Sequence, residues 1–470
     1  MKYIVVFMLL MSSVVPLCWG IDFPEPDTMI FEPIHFTPLK PDKIALNNEC
    51  ELWMYEDHTL PLVNVFVDIG VGHYADPADL PGVAWITADL MVSGGTQSNN
   101  PEAFDAWMDL NAVKLNAWVE SDVTRIEMSC LSSDFDEAFM QLRNVIINPR
   151  LDESRLQTVK NVIAMEIQTQ KEDPFHEAFL SFNKLVYGKN HPIARQPSEE
   201  ELRIITRNDL VTFHDTYYKP DICKLGIVGD FSHGNVERAF REFFGSWKGS
   251  SKNLISIAEP APEVQGRHIY IMDKPGTQTA IVLGHMGLPP WHPDYYSSEL
   301  FSRIFGFGGF SSRLMNEVRT QKGYAYAVFG GFMDNIPKGI FAVGCMTKNE
   351  SAFDASKLIL DIIEQMRTTP VSINELTQAK DSIENAFVFR FDRPKAILLR
   401  QFYYHRMNFP DDFLKTYLEK IRMVSAESIQ NFATQNIHPE DIAIVVVGPA
   451  NELKNEFAPL GWPVDILESE

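Results

Sequence analysis

The chain repeats itself once, and that repeat constrains its fold more than any other feature. Near the end of its first half stands YYKPDICKLGIVGDFSHGNVERAFREFFGSW, and near the end of its second half NIHPEDIAIVVVGPANELKNEFAPLGW. Each has a proline, a strand of buried type ending in Val-Gly, and a helix with a late Phe. Earlier, LDESRLQTVKNVIAMEIQTQKEDP parallels INELTQAKDSIENAFVFRFDRP, both long amphipathic helices running into an Asp-Pro or Asp-Arg-Pro step. Each half also opens on an apolar strand, PLVNVFVDIGVG in one and TAIVLGHMGLPP in the other. Self-similarity at this scale predicts a duplicated domain rather than a solenoid of short repeats. The mixture of strand and helix patterns predicts an α+β fold, each domain a mostly antiparallel sheet packed with helices.

The stretch 249–265, GSSKNLISIAEPAPEVQ, lacks sustained periodicity and reads as a linker between domains at 36–248 and 266–470. Residues 1–20 have a lysine near the start, an apolar run and small residues at Cys18 and Gly20, the pattern of a cleaved secretory leader. The segment 21–35 is extended and proline-rich. No later run is long and apolar enough to cross a membrane, so a periplasmic or secreted protein is expected. A formal charge of −22, from 41 basic and 63 acidic residues, argues against nucleic acid and anionic lipid as partners. Beyond the leader remain Cys50, Cys130, Cys223 and Cys345, widely spaced and without a metal-binding pattern, which read as buried free thiols.

Residues 80–96 read LPGVAWITADLMVSGGT. Pro81 can open a helix at its first position, Gly94 and Gly95 can close it, and Val83, Ile86, Leu90 and Met91 recur at helical spacing. Further on, IFGFGGFSSRLMNEVRTQKGYAYAVFGGF combines a Gly-rich turn, Ser-Ser-Arg-Leu, a Glu-Val-Arg step and Lys-Gly-Tyr-Ala-Tyr. Gly323 should end the helix that holds Arg319, placing Tyr326 on the following strand. Gly306, Gly308 and Gly309 form a turn that admits close approach of a substrate backbone. No phosphate-binding loop or dinucleotide fingerprint accompanies it.

Together with the opening ALNNECELWMYEDHTLPLVNVFVDIGVG and the helix VKNVIAMEIQTQKEDP, these motifs resemble the pitrilysin/insulinase family of zinc peptidases, which includes the mitochondrial processing peptidase subunits. The resemblance covers nearly the whole chain beyond the leader. It implies two homologous α+β domains, and a peptide chamber enclosed by two such domain pairs. The family carries His-x-x-Glu-His on its zinc helix. Here those places hold Trp85, Ala88 and Asp89, while Glu166, 77 residues after Asp89, falls where the family has its glutamate ligand. Trp cannot ligate zinc, Ala cannot act as a base, and one Asp cannot hold the metal alone. By position, Arg319 and Tyr326 correspond to the family's substrate-binding pair. The resemblance therefore implies a subunit that binds no zinc itself and pairs with a homologous zinc-bearing chain to act on unfolded peptide. Two alternatives stay open at this level: a metal-free structural or peptide-binding scaffold, and an enzyme with an unusual metal site.

Overall fold

The structure is a computed structural model and describes residues 39–46, 50–245, 247–251, 255–264, 266–391 and 393–468. Residues 1–20, expected to be a leader, and the proline-rich segment at 21–35 lie outside the described residues. Two six-stranded sheets form the frame. The first contains β1 (Asp42–Ala45), β2 (Glu51–Glu56), β3 (Leu62–Ile69), β4 (Lys114–Val119), β5 (Thr124–Leu131) and β6 (Cys223–Gly229), in the order β1-β2-β6-β3-β5-β4. The second contains β7 (His268–Asp273), β8 (Gln278–Met286), β9 (Ala325–Met333), β10 (Ile340–Lys348), β11 (Ala443–Gly448) and β12 (Val464–Leu467), in the order β12-β7-β11-β8-β10-β9.

The expected α+β architecture is present, and the repeat extends to register. In both sheets the late Val-Gly strand enters between two earlier ones. It runs parallel to the first (Glu51 opposite Lys224; His268 opposite Ala443) and antiparallel to the second. Most other pairings are antiparallel. A strand in that position is covered on both faces, which is why GIVG and IVVVG read as continuous apolar runs.

The paired long helices, Glu153–Glu172 and Ile373–Phe389, also repeat a detail of side-chain chemistry. Lys160 Nζ donates to the carbonyls of Arg203, at 2.9 Å, and Ile205. Lys380 Nζ donates to those of Arg422 and Val424, at 2.7 and 2.6 Å. Each ammonium meets the carbonyl end of a neighbouring helix, where the orphan acceptors and the helix dipole favour a cation.

The halves exchange a helix. Pro174–Tyr187, started by Pro174 with Asp173 as its cap, lies on β8 and β11 of the second sheet. Pro394–Arg406, also started by its proline, lies on β2 and β6 of the first. The first contact is apolar: Ala178, Phe182, Leu185 and Val186 pack with Met272, Ala280, Val282, Val445 and Val447. The second is mixed, with Leu398 and Phe402 lying over Gly226 and ion pairs beside them. Arg406 bonds Asp122 at 2.8 Å and Glu120 at 2.7 Å, Lys395 pairs with Glu127, and Phe402 stands edge-on to Trp53 at 5.2 Å. Both helices lie over a glycine. A Cβ on Gly226 of β6 would fall 2.6 Å from Leu398 Cδ2, and one on Gly344 of β10 would fall 2.5 Å from Phe175 Cζ.

Cys50, Cys130, Cys223 and Cys345 are buried free thiols, as expected. Burial pushes the thiols of Cys130 and Cys345 up to about 12, so neither offers a thiolate near neutral pH.

Two outcomes are expected. Gly226→Val and Gly344→Val each wedge a side chain under an exchanged helix and should cost about 1–3 kcal/mol in a urea melt. The buried His285 donates from Nδ1 to the Met286 carbonyl at 2.7 Å and accepts the His438 backbone N–H on Nε2 at 3.0 Å, so its packing requires the neutral ring. Burial pushes its pKa down to about 4, with the His438 ring and Glu440 facing it. A folded value below the ordinary 6.5 makes its stabilisation complete above pH 6.5 and progressively lost as pH falls through 4. That loss amounts to at most about 3 kcal/mol. His285→Gln should flatten that part of a stability–pH profile.

Candidate functional site

The helix that the resemblance sets at the family's zinc position spans Val83–Ser93. Gly82, in the left-handed region at φ 90°, precedes it, so Pro81 stands one residue before the cap rather than at the first helical position. The start is fixed by Asp76, whose carboxylate accepts from the N–H groups of Gly82, at 2.9 Å, and Ala84, at 2.8 Å. Gly94 caps the far end. Val83, Ile86, Leu90 and Met91 are all buried, as their spacing requires.

Trp85 is half-buried and stands edge-on to His73, with ring centres 6.5 Å apart. Ala88 is buried in the packing. Asp89 is half-buried and accepts from Ser93 Oγ at 3.2 Å; burial raises its pKa, the reverse of what a metal ligand experiences. The Glu153–Glu172 helix packs alongside, but Glu166 is exposed to solvent. Among the described residues no three His, Cys, Asp or Glu side chains converge as a metal would need. An indole, a methyl group and one carboxyl shielded from water do not fit zinc.

The second candidate site has a different character. Arg319 lies on a helical segment, Leu314–Gln321, whose bonds run to the fifth residue back, as from Lys322 N to Glu317 O at 3.2 Å. This π-type winding, repeated at Arg303–Phe307, replaces the regular helix that the spacing suggested. Gly323, at φ 66°, ends the segment, and Tyr326 follows on β9, as the sequence indicated. The Arg319 guanidinium lies 5.9 Å from the Tyr326 ring and 5.2 Å from that of Phe310. Tyr326 is 75% and Phe310 71% exposed. Arg319 has no hydrogen bond or ion pair among the described residues, so its five N–H donors are unspent. The group borders an open groove of about 420 Å3 between the glycine turn and β9, the edge strand of its sheet.

The glycines divide the labour. Gly306 brings its turn against β9, where a Cβ would fall 2.3 Å from the Gly330 carbonyl, so its close approach is to this chain's own backbone. Gly309, at φ 63°, opens onto free space. Sequence reasoning missed Phe310, whose one signal was an aromatic in a glycine-rich turn. It also left Arg313 without a role. That side chain makes a two-pronged pair with Glu375, at 2.7 and 3.2 Å, and ties the π segment to the Ile373–Phe389 helix.

Comparison with known proteins agrees with this geometry. Residues 53–191 match the family described as Insulinase (Peptidase family M16), and residues 205–383 match Peptidase M16 inactive domain. The chain belongs to the M16 family. A Bacillus subtilis protein called an uncharacterized zinc protease, YmxG, is 21% identical over 87% of this chain and 99% of its own length. The Helicobacter pylori protein called non-peptidase homolog YmxG is 22% identical over 83% of this chain and 90% of its own. A crystal structure of a peptidase M16 inactive domain from Pseudomonas fluorescens superposes with a TM-score of 0.79 at 23% identity, covering 87% of this chain and 98% of that one.

If the Val83–Ser93 helix and Glu166 keep the family's arrangement, rebuilding the motif should restore metal binding. The combined variant Trp85→His, Ala88→Glu, Asp89→His should bind one zinc ion per chain by metal analysis after dialysis, and the addition of Glu166→Gln should weaken that binding. No zinc uptake by the combined variant would place Glu166 out of reach.

Proposed function

We propose that this protein is a non-catalytic subunit of an exported zinc peptidase. It pairs with a homologous chain that carries an intact His-x-x-Glu-His motif and supplies the zinc. It forms half of a chamber for unfolded peptide and presents Arg319 and Tyr326 to the substrate. The observation that carries this reading is Arg319 itself. It is a guanidinium without a protein acceptor, set between two exposed aromatic rings, in a chain whose own zinc helix has lost its ligands. Arg can grip a peptide carbonyl or carboxylate with two parallel bonds. Tyr326 can donate to the oxyanion that develops at the partner's metal. Placement in the periplasm or outside the cell follows from the leader-like N-terminus and belongs to the same proposal.

The test is recovery of the tagged chain from its native host, followed by zinc analysis and peptide cleavage with and without the co-purified chain. A zinc-bearing homologue should accompany it, and cleavage should need both chains. Arg319→Ala and Tyr326→Ala should each lower turnover about 10²–10³-fold while leaving the pair intact. Wild-type turnover by both variants would remove the assigned roles. A chain that comes down alone, metal-free and inactive, would favour a structural or peptide-binding scaffold instead.

A further inference from the structure

A smaller and more enclosed cavity, of about 130 Å3, lies in the second half of the chain between Tyr295–Ser302, the adjoining π turn and the end of β9. Phe307 lines both this cavity and the Arg319 groove. Its wall carries several polar groups with few protein partners or none. His292 is 8% and Ser298 7% exposed, yet neither side chain makes a hydrogen bond among the described residues. Tyr295 is wedged among the rings of Trp291, Phe409 and Phe413, and its hydroxyl has no partner. The Glu299 carboxylate faces Arg390 at 3.7 Å, an ion pair without a hydrogen bond. Asp334 accepts from the Tyr403 hydroxyl at 2.7 Å and keeps further acceptor capacity. Arg303 donates to the Phe307 carbonyl at 3.5 Å, which leaves most of its fork free.

Solvent reaches the side-chain polar atoms of His292, Ser298 and Tyr295, so a ligand that enters the cavity can replace that water with its own polar groups. The charges narrow the choice. A simple cation would meet Arg303, and a simple anion would meet Asp334 and Glu299. A neutral polyol would leave Arg303 and Asp334 without a counter-charge, since Glu299 already has Arg390. A molecule with an ammonium at one end and a carboxylate at the other satisfies both. Volume sets the size, since a cavity of about 150 Å3 holds a benzene molecule. We propose that this cavity binds a small α-amino acid of about five to seven non-hydrogen atoms. The ammonium lies toward Asp334 and Glu299, the carboxylate toward Arg303, and His292, Ser298 and Tyr295 complete its hydrogen bonds. This site is separate from the peptide-chamber reading and holds whether or not a zinc-bearing partner exists.

Calorimetric titration of the purified chain alone, with glycine, L-alanine and L-serine, tests it. At least one should bind saturably at one site per chain, while acetate, ethylamine and glycerol bind at least tenfold more weakly. Asp334→Asn and Arg303→Gln should each weaken binding about 10- to 100-fold, the range for a lost charge-assisted hydrogen bond. Absence of saturable binding by all three amino acids would overturn the proposal and leave a water-filled cavity. Equal binding of a singly charged or neutral control would also overturn it, as would undiminished binding by both variants. The wild-type comparison decides the matter by itself if a variant does not fold.

Discussion

Everything else in this fold depends on the exchange of two helices. A sheet has two faces, and each sheet here covers only one with helices from its own half of the sequence. The other face waits for a helix from the other half: Pro174–Tyr187 on the second sheet and Pro394–Arg406 on the first. Neither half can bury both faces of its sheet alone, and residues 37–470 form one compact unit. The glycines under the two helices, Gly226 and Gly344, are the same solution reached twice, removing a side chain where a helix must lie close to a strand.

The two contacts are nevertheless unlike. On the second sheet the incoming helix meets aliphatic strands and the energy is that of apolar burial. On the first, Leu398 and Phe402 lie over Gly226, and charge surrounds them. Asp68 and Arg125, opposite one another on β3 and β5, form a buried pair, and Arg406 and Lys395 reach the acidic groups Glu120, Asp122 and Glu127 around it. Desolvation of such groups offsets much of their attraction, so the ion pairs add more orientation than stability to this contact. It is the more sensitive of the two to ionic strength.

How much of this the sequence revealed follows from what kind of signal each feature leaves. The repeat, the Val-Gly strands and the Val83–Ser93 core face were legible because apolar periodicity records burial directly. The exchange was not. Pro394–Arg406 buries Ile397, Leu398, Phe402 and Tyr404, and such a pattern says that a helix is covered without saying by which sheet. The position of Arg319 was legible from a motif and its turn glycine. Its rings were only half so: Tyr326 came with the motif, whereas Phe310 came with nothing but its glycine neighbours. Asp76 as the anchor of the degenerate helix was invisible, because a carboxylate 6 and 8 residues before its backbone partners follows no local capping pattern. The exposure of Glu166 was invisible too, since linear separation carries no information about which way a helix is turned.

The two candidate sites show what becomes of polar groups under different demands. On the Val83–Ser93 helix the groups are settled into the protein. Trp85 packs on His73, Ala88 is buried, and the Asp89 carboxyl is shielded from water without a cation to hold its charge. Arg319 has gone the other way. A surface arginine lowers its free energy most easily by pairing with a carboxylate, and the chain has 63 acidic residues to offer. None takes it among the described residues. Two aromatic rings lie beside the guanidinium, at 5.2 and 5.9 Å, a contact that favours the cation while consuming no N–H donor. An arginine placed in this manner keeps its full capacity for a two-pronged acceptor. That combination, flanked by rings and unspent, is the physical basis for reading the groove as a place where another chain's carbonyl or carboxylate is received.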